Sequence, residues 1–400
     1  NITPGVLYQY LPKAAEDLKK YDARIAEVRA KKPEEQFLRA LIEPANHVPE
    51  THLFHRGDPQ QPRQKTIPAA LTITAPEGQR VTFAENDADL PTTGRRLAFA
   101  KSLTSATHPL VARVAVNRIW MHHFGRPLVN TPADFGALGA KPSHPRLLDW
   151  LADDFVRNGW SLKYLHRLIL SSTAWRQQAT VDDDDTAKTA LDIDPANAFY
   201  WRKPLVRLEA ELIRDRMLAA TGKLDRTLFG PPIDIKENPS GQVVVAEPQK
   251  RRSLYIKQRR SRPVAMLQAF DAPVMETNCE RRPVSTVATQ SLMLINGEFI
   301  LDQAAKLAER AAQESTSAAA ASGASPSQPL LGQVTRAWEL ALCRAPDREE
   351  LKLAKEFLDR QLALFKDNPA AVPDGKTAER QALTNLCQTL LSCNEFLYSD

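Results

Sequence analysis

The segment from His108 to Arg176 constrains the fold most, because its apolar residues recur at helical intervals that are cut by start and stop signals. Leu110, Val114, Asn117 and Met121 follow one another at spacings of 4, 3 and 4, a single helix stripe with a side-chain amide where an apolar residue is expected. Gly159, Trp160 and Ser161 read as a helix stop, a hydrophobic contact just past it and a new N-cap, so two helices meet there at a tight corner. The pattern predicts helices over 97–103, 109–123, 145–158, 162–172 and 204–220, and again over 290–312. The expected fold is mainly α, a multi-helix globular domain.

The flanks differ in kind. Leu11, Ala14, Leu18, Tyr21, Ile25 and Val28 form a heptad seam, and Pro33 followed by Glu34 and Glu35 opens a second helix, so residues 11–43 read as a helical hairpin. Residues 44–91 are Pro-rich and read as an extended strap with short strands at 51–55 and 71–74. Stretches 243–247 and 253–257, joined across 248–252, predict a β-hairpin inserted in the helical body. Ser315 to Pro329 is almost wholly small or polar, the composition of a linker. Three helices follow it, the second opened by a capping-box variant at Asp347 and Glu350. The expected division is a hairpin and strap over 1–91, a core helical domain over 92–312, a linker over 313–329 and a C-terminal three-helix subdomain over 330–400.

Several function classes lose their support. Lys and Arg number 53 against 48 Asp and Glu, so the net charge of +5 is spread among mixed signs, which argues against a nucleic-acid surface. No run of about 18 apolar residues exists to span a bilayer. The chain opens on Asn1 without a signal-peptide pattern, so its start reads as processed or cut from a longer polypeptide. There is no G-x-S-x-G elbow, P-loop or G-x-G-x-x-G, which removes the common hydrolase, kinase and dinucleotide readings. The four cysteines include no C-x-x-C pair, which excludes an attached c-type haem and a compact thiolate zinc site. Buried thiols are expected, a disulfide from Cys343 to Cys387 or Cys393 being the other reading. His52 and His55 point to opposite faces of an extended chain, and His122 and His123 end a helix where a cation is favoured. No metal and no other cofactor is expected.

Three polar sets remain. Asn117 with Arg113 and Arg118 is either a ligand set or a buried structural network. Arg202, Arg207, Glu209, Glu211, Arg214 and Asp215 stand at helical-neighbour spacings, the mark of a charged face. Glycoside hydrolysis needs two acids facing each other about 5 to 9.5 Å apart, which spacing along one helix does not supply. Lys250, Arg251, Arg252, Lys257, Arg259, Arg260 and Arg262 surround Tyr255 and are followed by Arg281 and Arg282. They either bind oxyanions through planar guanidinium forks or pair with neighbouring acids.

The blocks "HPLVARVAVNRIWMHHFGRPLVNTPADFGALGAKPSHPRLLDW", "RRSLYIKQRR" and "FDAPVMETNCERRPVSTVATQSLMLINGEFI" resemble the planctomycete-associated domain-of-unknown-function family fifteen-fifty-three over residues 93–301. The resemblance places motif positions on Arg113, Asn117, Arg118, Trp120, Phe124, Gly125, Asp134, Gly136, His144, Pro145, Asp149, Trp150, Arg207, Arg252, Tyr255, Asp271, Arg281, Thr286, Gln290 and Asn296. Pro127 stands where such sequences carry glycine, and proline is incompatible with a positive φ. In such proteins the domain typically lies C-terminal to a secretion signal, a planctomycete cytochrome c domain and another domain of unknown function. The resemblance therefore implies an extracytoplasmic location and brings no established reaction. The expected function is a binding or scaffold module that takes an anionic ligand, such as a sulfated or carboxylated glycan, or docks a cytochrome c-type domain of the same or a partner chain. Its expected ligand residues are Arg113, Asn117, Arg118, Arg252, Tyr255 and Arg281. The alternative is a polysaccharide-degrading hydrolase using acids such as Asp134, Asp149 or Asp271.

Overall fold

A computed structural model of the chain describes residues 12–31, 40–44, 47–75, 79–181, 183–246, 250–273, 278–322 and 329–399. The chain divides into two compact units, residues 1–105 and 106–400. In the first, helix α1 (Pro12–Ala30) leaves Tyr21, Ile25 and Val28 exposed along the heptad seam. The second arm of the expected hairpin lies mostly at 32–39, outside the described residues, and 40–43 are not helical. Strand β1 (Thr51–Phe54) pairs antiparallel with β2 (Pro62–Thr66). The strand expected at 71–74 is instead a 3₁₀ turn at Thr72–Thr74. Helix α2 (Arg95–Leu103) is tied to the strap through Arg95, whose Nε donates to the Glu85 carbonyl at 2.8 Å and Nη1 to the Pro49 carbonyl at 2.9 Å.

The second unit is mainly helical around two cores. Helices α3 (Val111–Phe124), α4 (Pro145–Arg157), α5 (Leu162–Ser171) and α6 (Thr173–Arg176) enclose the first, where Val116, Phe124, Leu148, Phe155, Leu165 and Ile169 are buried. Pro145 sits at the first turn of α4, where its missing N–H costs nothing. The corner forms as the sequence predicts: Gly159 and Trp160 take positive φ, and the Ser161 hydroxyl caps α5 by accepting from the Tyr164 N–H. At the end of α3 the positive φ belongs to Gly125, where a Cβ would lie 2.9 Å from Val206. Position 127 is thus free to hold proline, and Pro127 is buried.

After α7 (Asp184–Ile193), the helix expected from residue 204 starts later, because β3 (Val206–Arg207) pairs with Tyr398–Ser399 before α8 (Ala210–Ala220) begins. The inserted hairpin is built from β4 (Ile235–Glu237) and β5 (Val243–Val245). The strand expected near 243 is present, but it pairs backwards in sequence; residues Ser253–Tyr255 form a 3₁₀ turn. Local turn chemistry decides this. Asn238 Oδ1 accepts from the Gln242 N–H and the Ser240 hydroxyl, and Gly241 takes a φ of +80°.

Helices α9 (Ala265–Ala269), α10 (Ala288–Asn296) and α11 (Glu298–Ser322) follow. The single helix expected over 290–312 is broken at Gly297, where a Cβ would lie 2.6 Å from the Met293 carbonyl oxygen. Helix α11 continues through Ser322, so the first part of the expected linker is helical, and 323–328 lie outside the described residues. Alanine is the strongest helix former, which outweighs the small-residue composition. Helices α12 (Pro329–Leu342), α13 (Arg348–Asp367), α14 (Ala378–Ser392) and α15 (Asn394–Leu397) and strand β6 (Tyr398–Ser399) complete the chain. The capping box is present, with Asp347 and Glu350 each accepting the other's N–H at 2.8 Å.

The second core joins both sides of the 313–329 stretch: Ile213, Met217, Ile300 and Leu307 are buried with Val334, Leu383 and Phe396. All four cysteines are free thiols. Cys387 is buried, whereas Cys279 and Cys343 are exposed, against expectation. Among the described residues, no helix is long and apolar enough to cross a membrane.

Candidate ligand-binding site

Asn117 is fully buried, and both polar atoms of its amide are engaged by one residue. Nδ2 donates to the Val129 carbonyl at 3.1 Å, and Oδ1 accepts from the Val129 N–H at 2.8 Å. The expected network with Arg113 or Arg118 does not form. Arg113 Nε donates to Asp149 Oδ1 at 2.7 Å and its Nη1 to the Pro109 carbonyl, while Arg118 is exposed.

The three candidate acids occupy separate settings. Asp134 is exposed and accepts the Gly136 N–H at 2.8 Å, closing a turn. Asp149 is exposed and paired with Arg113. Asp271, at a φ of +62°, accepts from Arg207 Nη2 at 2.6 Å, from the Ser285 N–H at 2.9 Å and from the Ser285 hydroxyl at 2.8 Å. Burial pushes its carboxyl up, but the Ser285 N–H, the Arg207 guanidinium and the Ser285 hydroxyl outweigh it and hold it below the ordinary value. Arg207 also donates to the carbonyls of Ser285 and Phe270, and Gln290 Nε2 donates to the Ser285 hydroxyl. An ionised acid with these partners fastens the chain around Ser285; it is poorly suited to give up a proton it does not hold.

A second network surrounds the end of α3. His122 lies 3.5 Å from Glu209, and Arg282 reaches Glu209 at 3.4 Å and grips Glu211 at 2.6 and 3.2 Å. The His122 hydrogen bond lowers the Glu209 pKa against the opposing effect of burial, with Arg282 adding to it. Beside them, His123 Nε2 lies 2.8 Å from His166 Nδ1, and the His123 ring meets the Trp175 ring edge-on. Burial, then His166, His122 and Lys203, push His123 down to about 4, so it is neutral at pH 7. No group of three or more His, Cys, Asp and Glu that could hold a metal ion occurs among the described residues.

Most of the basic run is spent on the protein itself. Arg251 is buried over the Tyr255 ring and donates to the carbonyls of Thr227, Phe229 and Pro231. The Tyr255 hydroxyl accepts the Phe229 N–H at 3.0 Å. Arg252 lies 3.6 Å from Asp215, which also accepts the N–H and hydroxyl of Ser253 at 2.7 Å each. Arg281 donates to the Gly125 carbonyl. Lys257 pairs with Asp234 at 2.5 Å and Arg262 with Glu237 at 3.6 Å. The guanidiniums of Arg259 and Arg260 are exposed and carry no hydrogen bond or ion pair among the described residues.

A groove of about 1010 Å³ runs between the β4–β5 hairpin, α9, α10 and the start of α11. Val243, Val244, Val245, Met266, Met293 and Phe299 supply apolar walls, and Lys236, Glu298 and the Asp302–Lys306 pair supply charge. Its volume is at the upper end of ligand pockets. On α10, Thr289, Leu292, Met293 and Asn296 line it, while Gln290 and Leu294 are buried. The Asp271–Ser285–Gln290 network therefore anchors a wall of this groove from behind.

A family model described as PSD1, a protein of unknown function (DUF1553), matches residues 95–358, more than half of the chain. The chain belongs to the PSD1 family. No curated protein and no solved structure matches it.

The PSD1 match contains the Asn117 pin, the Asp271 network, the basic run and the groove. In this PSD1 chain Arg113, Asn117, Arg252 and Asp271 share no partner among the described residues. Sequence reasoning missed Ser285 and the strand at 235–237. The turn residues Asn238 to Gly241 were a usable signal for that strand; nothing local marked Ser285 as the partner of an acid 14 residues earlier.

Proposed function

We propose that this PSD1 chain is a non-catalytic binding module of an extracytoplasmic protein, and that it holds an anionic glycan, sulfated or carboxylated, against the segment from Lys257 to Arg262. The observation that carries this reading is the contrast within the basic run. Its other arginines are committed to carbonyls or acids, whereas Arg259 and Arg260 are exposed and make no hydrogen bond or close ion pair among the described residues, Arg259 acting on Asp234 only through its charge. The stretch starts where the Lys257 N–H donates to the Ile233 carbonyl at 2.9 Å and closes in a turn in which the Arg262 N–H donates to the Arg259 carbonyl at 3.1 Å, so the two guanidinium forks stand on a short turn. The hydrolase alternative has less support, because each candidate acid is either an exposed turn or ion-pair partner or, for Asp271, saturated with donors.

The test is a titration of sulfated and uronic-acid oligosaccharides at two salt concentrations, with wild type and an Arg259→Ser/Arg260→Ser double variant. Binding by the wild type, weakened about tenfold or more in the variant and reduced by salt, is expected. Equal binding by both proteins overturns the assignment to these arginines. Release of new reducing ends from the same oligosaccharides would establish the hydrolase instead.

A further inference from the structure

The β4–β5 hairpin lines the groove with a strand whose outer backbone edge is unpaired among the described residues. The Asn238 N–H donates to the Gln242 carbonyl and the Ala246 N–H to the Asp234 carbonyl, each at 2.9 Å. These are the closely bonded pairs of an antiparallel ladder, and the alternation makes Lys236 and Val244 the closely bonded pair between them. Val243 and Val245, opposite Glu237 and Ile235, therefore direct their N–H and C=O groups away from β4. Among the described residues, these four groups have no hydrogen-bond partner. All three valines line the groove, together with Ala265, Met266 and Ala269 of α9.

We infer that this groove takes an extended polypeptide segment, which adds to the free edge of β5 as a third strand. A polypeptide is the occupant whose backbone repeats a donor and an acceptor every second residue, the spacing that Val243 and Val245 offer; a glycan supplies hydroxyls without that repeat. Apolar side chains at alternate positions of the added strand meet the wall formed by Met266, Met293 and Phe299. An acidic residue at an intervening position suits Lys236, which lines the groove on the hairpin and carries no ion pair among the described residues. An open strand edge beside apolar surface is otherwise a liability for aggregation, and pairing with a partner strand removes it.

The probe is a short fluorescein-labelled peptide alternating valine with glutamate, compared with two forms N-methylated at alternate residues, one on the valines and one on the glutamates. One methylated form should lose about tenfold or more in affinity and the other should bind within about twofold of the parent, because only one set of N–H groups faces β5. The variant Val245→Pro removes an outward N–H and should also lose binding, while Val244→Thr should keep it. The Arg259→Ser/Arg260→Ser variant should retain most peptide binding and lose the oligosaccharide, which separates this inference from the proposed glycan site. No binding by the wild type, or equal effects of both methylation patterns, overturns the strand-addition mode whether or not Val245→Pro folds. Concentration-dependent dimerisation of wild type that Val245→Pro abolishes would give the edge to a second copy of this chain and overturn the inference too.

Discussion

Asn117 and Val129 face each other as two strand residues would, with the side-chain amide of one replacing a backbone and making both hydrogen bonds, at 3.1 and 2.8 Å. Val129 is 2% exposed, so water cannot stand in for the amide, and the turn after α3 depends on a side chain 12 residues earlier. Replacing Asn117 by leucine keeps the helix stripe apolar and strands a buried N–H and a buried C=O. The expected loss is about 1–3 kcal/mol or more, since two polar groups are left unpaired. Urea denaturation of Asn117→Leu checks it; an unchanged midpoint would show that the pairing contributes nothing.

Asp271 and Arg207 hold the approach to α10 in a comparable way, but with charge. Asp271→Asn tolerates the positive φ and keeps the shape while removing the ionic partner of a guanidinium only 5% exposed. A loss of about 1.5–3 kcal/mol is expected at pH 7. The folded carboxyl titrates below its ordinary 3.8, so its contribution is complete above that value and disappears as pH falls through the lower folded value. The gap between wild type and Asp271→Asn, read from denaturation midpoints, should therefore narrow below about pH 4. A gap that stays constant from neutral to strongly acidic pH would remove the carboxylate charge from the account.

His123 gives the opposite half of the acid range. The folded state keeps this ring neutral down to about pH 4, whereas the unfolded chain binds a proton near 6.5. Protons are then taken up on unfolding between those values, so stability is complete above pH 6.5 and falls as pH drops toward 4. The groups facing it are His166 on α5, His122 on its own helix, Trp175 on α6 and Lys203. His123→Phe should flatten the fall in thermal midpoint between about pH 6.5 and 4. An identical slope in the variant would assign the acid sensitivity to other groups.

The helices were legible because their signals are local. The stripe through Leu110 and Met121, the Ser161 cap and the Asp347–Glu350 box each lie within one or two turns of the residue they position. Strand pairing was not: the valines at 243–245 announce a strand, but its partner is fixed by which flank carries a tight turn. Gly297 was passed over for a different reason: a glycine is tolerated inside a helical pattern, and the contact with the Met293 carbonyl that leaves no room for a Cβ appears only in the fold. At the candidate site, guanidinium density was visible and its consumption was not. Arg251 is held by carbonyls of Thr227, Phe229 and Pro231, and every residue offers a carbonyl, so no residue type marks those acceptors.

The small-residue stretch at 313–329 suggested that the last 70 or so residues form a subdomain, yet the second core crosses it. Ile300, Ala304, Leu307, Ala308 and Ala311 of α11 are buried in the same cluster as Val334, Trp338, Leu383 and Leu390. Those α11 positions recur at helical intervals, so one apolar stripe is the surface on which α12 and α14 close. A fragment of residues 330–400 would leave that stripe's partners in water, and it loses the apolar burial that offsets its ordering entropy. Expressed alone, it is expected to show helical far-UV dichroism without a cooperative thermal transition; mixed with residues 106–322, it should regain one. A sharp, cooperative transition in the isolated fragment would show that the C-terminal helices are an independent domain after all.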